Sequence, residues 1–171
     1  MPISIRLMLV AATAASFVLT PLAATGGQCD IVGTGGDDRL IGTREGETIC
    51  GLGGDDFIKG RNGSDDIDGG AGRDTIISGG GHDIAEGARG SDIVDGNAGN
   101  DELRGSGGND IIRGFKGKDG LVGGGGNDCL YTVDGVGGND TAFGNGGHDV
   151  YDVDEGDTVK SAEEVGSCAG D

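Results

Sequence analysis

Acidic side chains return along this chain with a period of nine residues. Asp38, Glu47, Asp56, Asp65, Asp74, Asp83, Asp92, Asp101, Asp110, Asp119, Asp128, Asp140 and Asp149 form the series, and only the step from Asp128 to Asp140 is longer, by three residues. Each follows a short run of small residues, mostly Gly. Carboxylates beside unshielded backbone carbonyls make a set of hard oxygen donors. Calcium takes six to eight such oxygens at about 2.3–2.6 Å, in flexible geometry. Magnesium demands stricter octahedral geometry and keeps its waters. No imidazole or thiolate array is present to favour zinc or copper. The twelve Asp of the series are therefore the candidate metal ligands: Asp38, Asp56, Asp65, Asp74, Asp83, Asp92, Asp101, Asp110, Asp119, Asp128, Asp140 and Asp149. Calcium is the implied ion.

The segments that must position these acids are themselves periodic. Rows of nine begin at Gly33, Gly42, Gly51, Gly60, Gly69, Ser78, Gly87, Gly96, Gly105, Gly114 and Gly123. Thr132 to Asp134 intervene, and rows at Gly135 and Gly144 complete thirteen. Column one is Gly in twelve rows and column four is Gly in twelve, the exceptions being Ser78 and Glu45. Column eight is Leu, Ile or Val in ten rows, with Ala85, Ala142 and Tyr151 in the others. Compositional bias scatters Gly and Asp; it does not align them in columns.

Columns one to six read as a turn, because Gly tolerates positive φ and close backbone approach. Columns seven to nine read as a very short strand. Strand side chains alternate faces, so the aliphatic column eight points into a core. Columns seven and nine, with Arg39, Phe57, Asp66, Lys59 and Glu86 among them, point to water. Two rows make one coil, and each row stacks on the row two further on. One edge then carries Asp38, Asp56, Asp74, Asp92, Asp110 and Asp128. The other carries Glu47, Asp65, Asp83, Asp101 and Asp119, followed by Asp149. The three-residue insertion leaves the edge of Asp140 open. Carboxylates stacked about 4.8 Å apart repel one another unless a cation lies between them.

Composition narrows the function classes. Gly is 41 of 171 residues, about three times average usage. There is no Trp, and Asp plus Glu outnumber Lys plus Arg by 30 to 12, for a net charge of −18. Such a chain lacks the cations that phosphate backbones and anionic membrane surfaces require, so nucleic acid is not an expected partner. It also carries little large apolar surface to bury, so folding is expected to need outside help.

These rows resemble the RTX, or haemolysin-type, calcium-binding nonapeptide family, whose motif is G-G-x-G-x-D-x-U-x. Gly51-Leu52-Gly53-Gly54-Asp55-Asp56-Phe57-Ile58-Lys59 and Gly105-Ser106-Gly107-Gly108-Asn109-Asp110-Ile111-Ile112-Arg113 match it closely. The resemblance covers about 70% of the chain. It implies an all-β, parallel β-roll (a right-handed β-solenoid) of thirteen repeats, with calcium ions held between stacked turns by the column-six Asp carboxylates and turn carbonyls. The row 42–50 departs from the motif, with Glu45 for Gly and Glu47 for Asp, so its turn is expected to bind weakly or not at all.

The remainder organises around the roll of residues 33–152. Residues 1–24 read as a secretory signal peptide: Arg6, an apolar run from Leu7 to Leu19, then Pro21-Leu22-Ala23-Ala24. The run is short for a spanning helix and no second one follows. A secreted chain, with no membrane insertion once the leader is removed, is therefore expected. Residues 25–32 and 153–171 are expected to cap the ends, the latter as an acidic tail, because a solenoid exposes its terminal strands. Cys29, Cys50, Cys129 and Cys168 are an even set, as in exported proteins. Three connectivities are open; Cys29–Cys50 with Cys129–Cys168 gives one clamp per end. His82 and His148 sit in column five as turn residues, with no partner nearby in sequence to suggest a triad. Asn62-Gly63-Ser64 is a formal glycosylation sequon.

The expected function is non-enzymatic, extracellular calcium binding with calcium-dependent folding. The alternatives are a calcium-rigidified interaction or matrix protein, and the repeat module of a secreted toxin or enzyme. Many members of the family are large toxins or proteases with an added domain and a C-terminal export signal, and neither is expected here.

Overall fold

The computed structural model describes residues 28–135 and 139–160, and the backbone of 164–165. The signal-peptide reading therefore lies outside the described residues. Strands follow in chain order as β1 (Ile31–Val32), β2 (Arg39–Ile41), β3 (Thr48–Cys50), β4 (Phe57–Asn62), β5 (Asp66–Ala71), β6 (Thr75–Gly80), β7 (Ile84–Arg89), β8 (Ile93–Ala98), β9 (Glu102–Gly107), β10 (Ile111–Lys116), β11 (Gly120–Gly125), β12 (Cys129–Tyr131), β13 (Thr141–Gly146), β14 (Val150–Asp152), β15 (Thr158–Lys160) and β16 (Glu164–Val165). Odd-numbered strands form one parallel sheet and even-numbered strands another. Each strand hydrogen-bonds to the strand two further on, so the chain is a parallel β-roll, as the alternation of rows requires.

Column eight makes the core. Ile58, Ile76, Val94, Ile112, Leu130 and Tyr151 stand in register along one sheet. Ile49, Ile67, Ala85, Leu103, Leu121 and Ala142 stand along the other. All twelve are essentially inaccessible. Ile31, Val153 and Val159 extend the cluster at the ends.

The ladder is longer than the thirteen rows. Among the described residues it holds sixteen strands, because β1, β15 and β16 add coils where the motif has lapsed. Ile31 pairs with Ile49, and Val159 with Ala142, as column-eight residues do. The segments read as a cap and an acidic tail therefore contribute strands of the same roll.

Strand length is a second correction. From β4 onward most strands run six residues, through column three of the following row. The column-one Gly continues the strand with its inner face buried. A Cβ on Gly51 would lie 2.5 Å from Asp56 Oδ2 and 2.2 Å from the Gly69 carbonyl oxygen. Column-one Gly is thus required for space in most rows, Ser78 and Gly135 being the exceptions, and positive φ falls mainly in columns two and four. Among the described residues, all seven non-Gly residues of positive φ, Leu52, Arg61, Ala88, Asn97, Ser106, Phe115 and Asn145, fall in column two. An L-residue there carries a steric cost, which the inter-coil hydrogen bonds on either side hold in place.

Alternate rows feed different sheets, and the outward residues stay mixed on the odd sheet, whereas one outward line of the even sheet is largely apolar. The even sheet presents Phe57, Thr75, Ile93, Ile111, Cys129 and Val150 in one line. On the odd sheet Asp66 and Glu102 flank the exposed Ile84, and Asp68, Glu86 and Arg104 stand in line. Asp68 faces Glu86 across the ladder, and its carboxyl is held above the ordinary range by burial and then by that neighbour. Elsewhere cross-strand cations lie over rings, Arg39 over Phe57 at 4.5 Å and Arg113 over Tyr131 at 5.6 Å.

A disulfide joins Cys29 to Cys50, fastening the chain before β1 to the end of β3. Cys129 is also disulfide-bonded; Cys168 lies outside the described residues. A loop the size of the 21-residue Cys29–Cys50 separation contributes roughly 3 kcal/mol when closed. Stacked repeats interact with nearest neighbours. Reducing the disulfides is therefore expected to fray β1–β3 while the rows from about Gly60 to Lys118 keep their slow amide exchange. Hydrogen exchange on the reduced, calcium-saturated protein checks this, and loss of protection throughout the central rows would refute it.

Candidate metal centre

Each column-six Asp stands at the mouth of a strand, where the turn re-enters the roll. Asp56, Asp65, Asp74, Asp83, Asp92, Asp101, Asp110, Asp119, Asp128, Asp140 and Asp149 are all buried, at 3% exposure or less. One oxygen of each is committed. The backbone N–H of Asp38 donates to Asp56 Oδ1, that of Asp56 to Asp74 Oδ1, and so on through Asp92, Asp110, Asp128 and Asp149, at 2.8–3.0 Å. The second edge runs from Glu47 through Asp65, Asp83, Asp101, Asp119 and Asp140, at 2.7–3.0 Å.

This settles the two edges. Asp140 follows Asp119, and Asp149 follows Asp128; the expectation that Asp149 follows Asp119 is overturned. The insertion is absorbed within one coil, where the 18-residue offset becomes 21. Alternation of the sheets survives it.

The other oxygen is different. Oδ2 of all eleven buried Asp is enclosed and has no hydrogen-bond partner. In Asp56, Asp65, Asp74 and their equivalents it lies over the column-one Gly of its own row. A buried carboxylate with an unpartnered oxygen is costly. The cost shows in proton affinity: Asp56, Asp65, Asp92, Asp101, Asp110, Asp119, Asp128 and Asp140 are pushed up to about 6 by burial, opposed by the backbone N–H bond and reinforced in most by neighbouring carboxylates. Burial raises Asp74 and Asp83 as well.

The start of each edge is built otherwise. Asp38 accepts from the backbone N–H and hydroxyl of Thr34. Glu47 likewise accepts from Thr43, whose hydroxyl makes a short bond to Glu47 Oε1. Both carboxylates turn back onto their own turns.

Two residues of the site were not in the sequence-derived set. Asp157 continues the second edge, taking the backbone N–H of Asn139 and Asp140 at 3.2 and 3.3 Å and the hydroxyl of Thr132 at 2.7 Å. Asp157-Thr158-Val159-Lys160 fits columns six to nine, but Asp152 replaces the row's opening Gly. Ser78, the exception in column one, is fully buried and its Oγ has no partner. His82 stays in the exposed turn, its Nδ1 against the backbone of Asn100.

Among the described residues no three His, Cys, Asp or Glu side chains converge as a metal cluster. The roll supplies one column-six carboxylate per two-row coil on each edge, so three side chains do not converge there. A shell of six to eight oxygens draws its remaining members from main-chain carbonyls of the Gly-rich turns. All available donors are oxygens, and the orphaned Oδ2 supplies the charge. The donor chemistry fits a hard divalent cation.

The family model of the RTX calcium-binding nonapeptide repeat matches residues 30–58, 42–76, 59–94, 77–110, 95–128 and 132–159. The chain belongs to the RTX calcium-binding nonapeptide-repeat family. No curated protein and no solved structure matches it significantly. The RTX match runs through the coil that ends in β15, so it includes Asp157 and the coil that the row count leaves out. It also spans the row of Glu45 and Glu47, where the turn chemistry differs.

Proposed function

We propose that this RTX roll is a non-enzymatic, extracellular calcium-binding protein whose folding is coupled to ion uptake. The observation that carries the reading is the double file of buried Asp carboxylates, each with one oxygen left without a partner. Calcium would be held by Asp56, Asp65, Asp74, Asp83, Asp92, Asp101, Asp110, Asp119, Asp128, Asp140 and Asp149 with turn carbonyls, and Asp38 would complete the first edge. Bound ions would neutralise the file and replace the missing partners. Because Oδ2 is enclosed, an ion reaches it only while a turn is open. Ion uptake and closure of a coil are then one event. Export is supported by the leader-like residues 1–24 and by the disulfide at Cys29–Cys50.

Equilibrium dialysis with calcium tests the reading: several ions per chain are expected, and none bound would sink it. Position on the edge should then matter. Asp92 lies mid-edge and carries an orphaned Oδ2, whereas Glu47 is tied to Thr43. Asp92→Asn is expected to remove at least one ion per chain, and Glu47→Gln to leave the count unchanged. Equal losses in the two variants would contradict the assignment of the file.

A further inference from the structure

Only 12 Lys and Arg are set against 30 Asp and Glu in this chain, yet three of the cations meet at one place. Arg44, Lys59 and Arg61 rim a shallow cleft that also draws on Asn62, Ile77, Gly79, Gly80, Asn97 and Ala98. No Asp or Glu lines it. The cleft is a gap in the ladder. Arg61 and Asn62 pair with Gly79 and Gly80, which pair in turn with Asn97 and Ala98. The middle coil is bare at both positions, so the flanking side chains stand two strand spacings apart, roughly 10 Å.

The bareness of Gly80 is not demanded by the fold. A Cβ there would meet nothing nearer than Asn62 Oδ1 at 3.5 Å, and its φ is outside the left-handed region. The same column carries Arg89 and Lys116 in other rows. Arg61 Nη1 donates to the Gly42 carbonyl at 3.1 Å, which fixes the guanidinium at the rim with further N–H groups free to donate. The nearest acid on the outward column is Asp95, beside Ile77, and it is paired with Arg113 at 3.1 Å. Asn97 Nδ2 has no partner in the protein.

We propose that this cleft binds a small organic anion, its carboxylate or sulfate head held by Arg44, Lys59 and Arg61 and its short apolar part against Ile77 and Ala98. Guanidinium groups match planar and tetrahedral oxyanions in two-pronged geometry, and the gap left by Gly79 and Gly80 admits the head beside the Asn62 amide. The site lies on the outward face and uses none of the column-six carboxylates, so it is separate from the proposed calcium file.

The test is a titration of the folded protein, in excess calcium, with sodium butyrate and separately with sodium sulfate, against a sodium chloride blank of equal ionic strength. Amide shifts of Gly79, Gly80 and Ala98 and the side-chain signals of Arg44 and Arg61 are followed by NMR. Saturable shifts confined to these groups are expected. Response to butyrate alone assigns a carboxylate ligand, and response to sulfate alone a sulfate or sulfate ester. Arg61→Gln and Lys59→Gln should each weaken binding about threefold or more. Gly80→Gln should leave the fold and the calcium count intact but abolish the shifts, because it fills the gap. No saturable response beyond the blank, equal shifts at Arg104 and Arg113, or unchanged binding in Gly80→Gln would overturn the proposal.

Discussion

Stripped of calcium at neutral pH, the protein should lose most of its β-structure and recover it cooperatively as calcium returns. The core is a single file of side chains from each sheet, two of them Ala, and among the described residues no helix packs over it. Around it stand eleven buried carboxylates, and the net charge is −18. Each ion bound only by the folded state, at a hundred times its Kd, adds about 2.7 kcal/mol. A handful of such sites reaches the whole stability of an ordinary domain, about 5–15 kcal/mol. Far-ultraviolet circular dichroism and sedimentation, with and without a chelator, measure the change. An equal β signal and equal compactness in both samples would refute the coupling.

Acid should partly substitute for calcium. The eight Asp pushed up to about 6 bind protons more tightly in the folded state than in the unfolded chain, where the value is 3.8. The folded state therefore gains stability as pH falls through about 6, and the gain is complete below 3.8. Above 6 the same carboxylates are ionised and oppose folding. This is the reverse of a salt-bridged Asp, which loses its contribution in acid. Protein freed of calcium on a chelating resin should show rising β signal from pH ~7 to ~4.5, while calcium affinity falls over the same window as protons compete. Because the isoelectric point is near 4.1, sedimentation must show that the species formed is monomeric. A calcium-free chain that stays unfolded across this range would mean that burial does not govern these groups.

Much of this architecture is legible in the rows. A period of nine with an aliphatic eighth column leaves little choice but two parallel sheets fed alternately, because a strand's inner face must be covered. The candidate carboxylates follow from the same alignment. What the rows conceal is set by contacts between coils rather than within them. Column-one Gly looks like a turn residue until the Asp56 carboxylate and the Gly69 carbonyl are seen where its Cβ would be. The same contacts set the length of the strands, which the rows alone do not show. Column two carries Leu, Arg, Asn, Ser and Phe at positive φ, which no local propensity suggests; the ladder on either side imposes it. Asp157 is concealed because a row without its opening Gly does not look like a row, although its last four residues still fit. The edges of Asp140 and Asp149 depended on how a three-residue insertion is taken up, and only the register answers that.

The regular offset of the hydrogen-bond ladder also sets how the molecule should yield to a pull applied between its first and last strands. Load along the roll axis falls on one coil-to-coil ladder at a time, since each coil is bonded only to the coils before and after it. Every coil that peels away releases 18 residues in the regular region, about 60 Å of extended chain. The coils that span the insertion release 21, so their step is longer by about 10 Å. Between the disulfide-closed first coil and the insertion the protein would thus extend in near-equal steps, with the three-residue insertion readable as a long step near the C-terminal end.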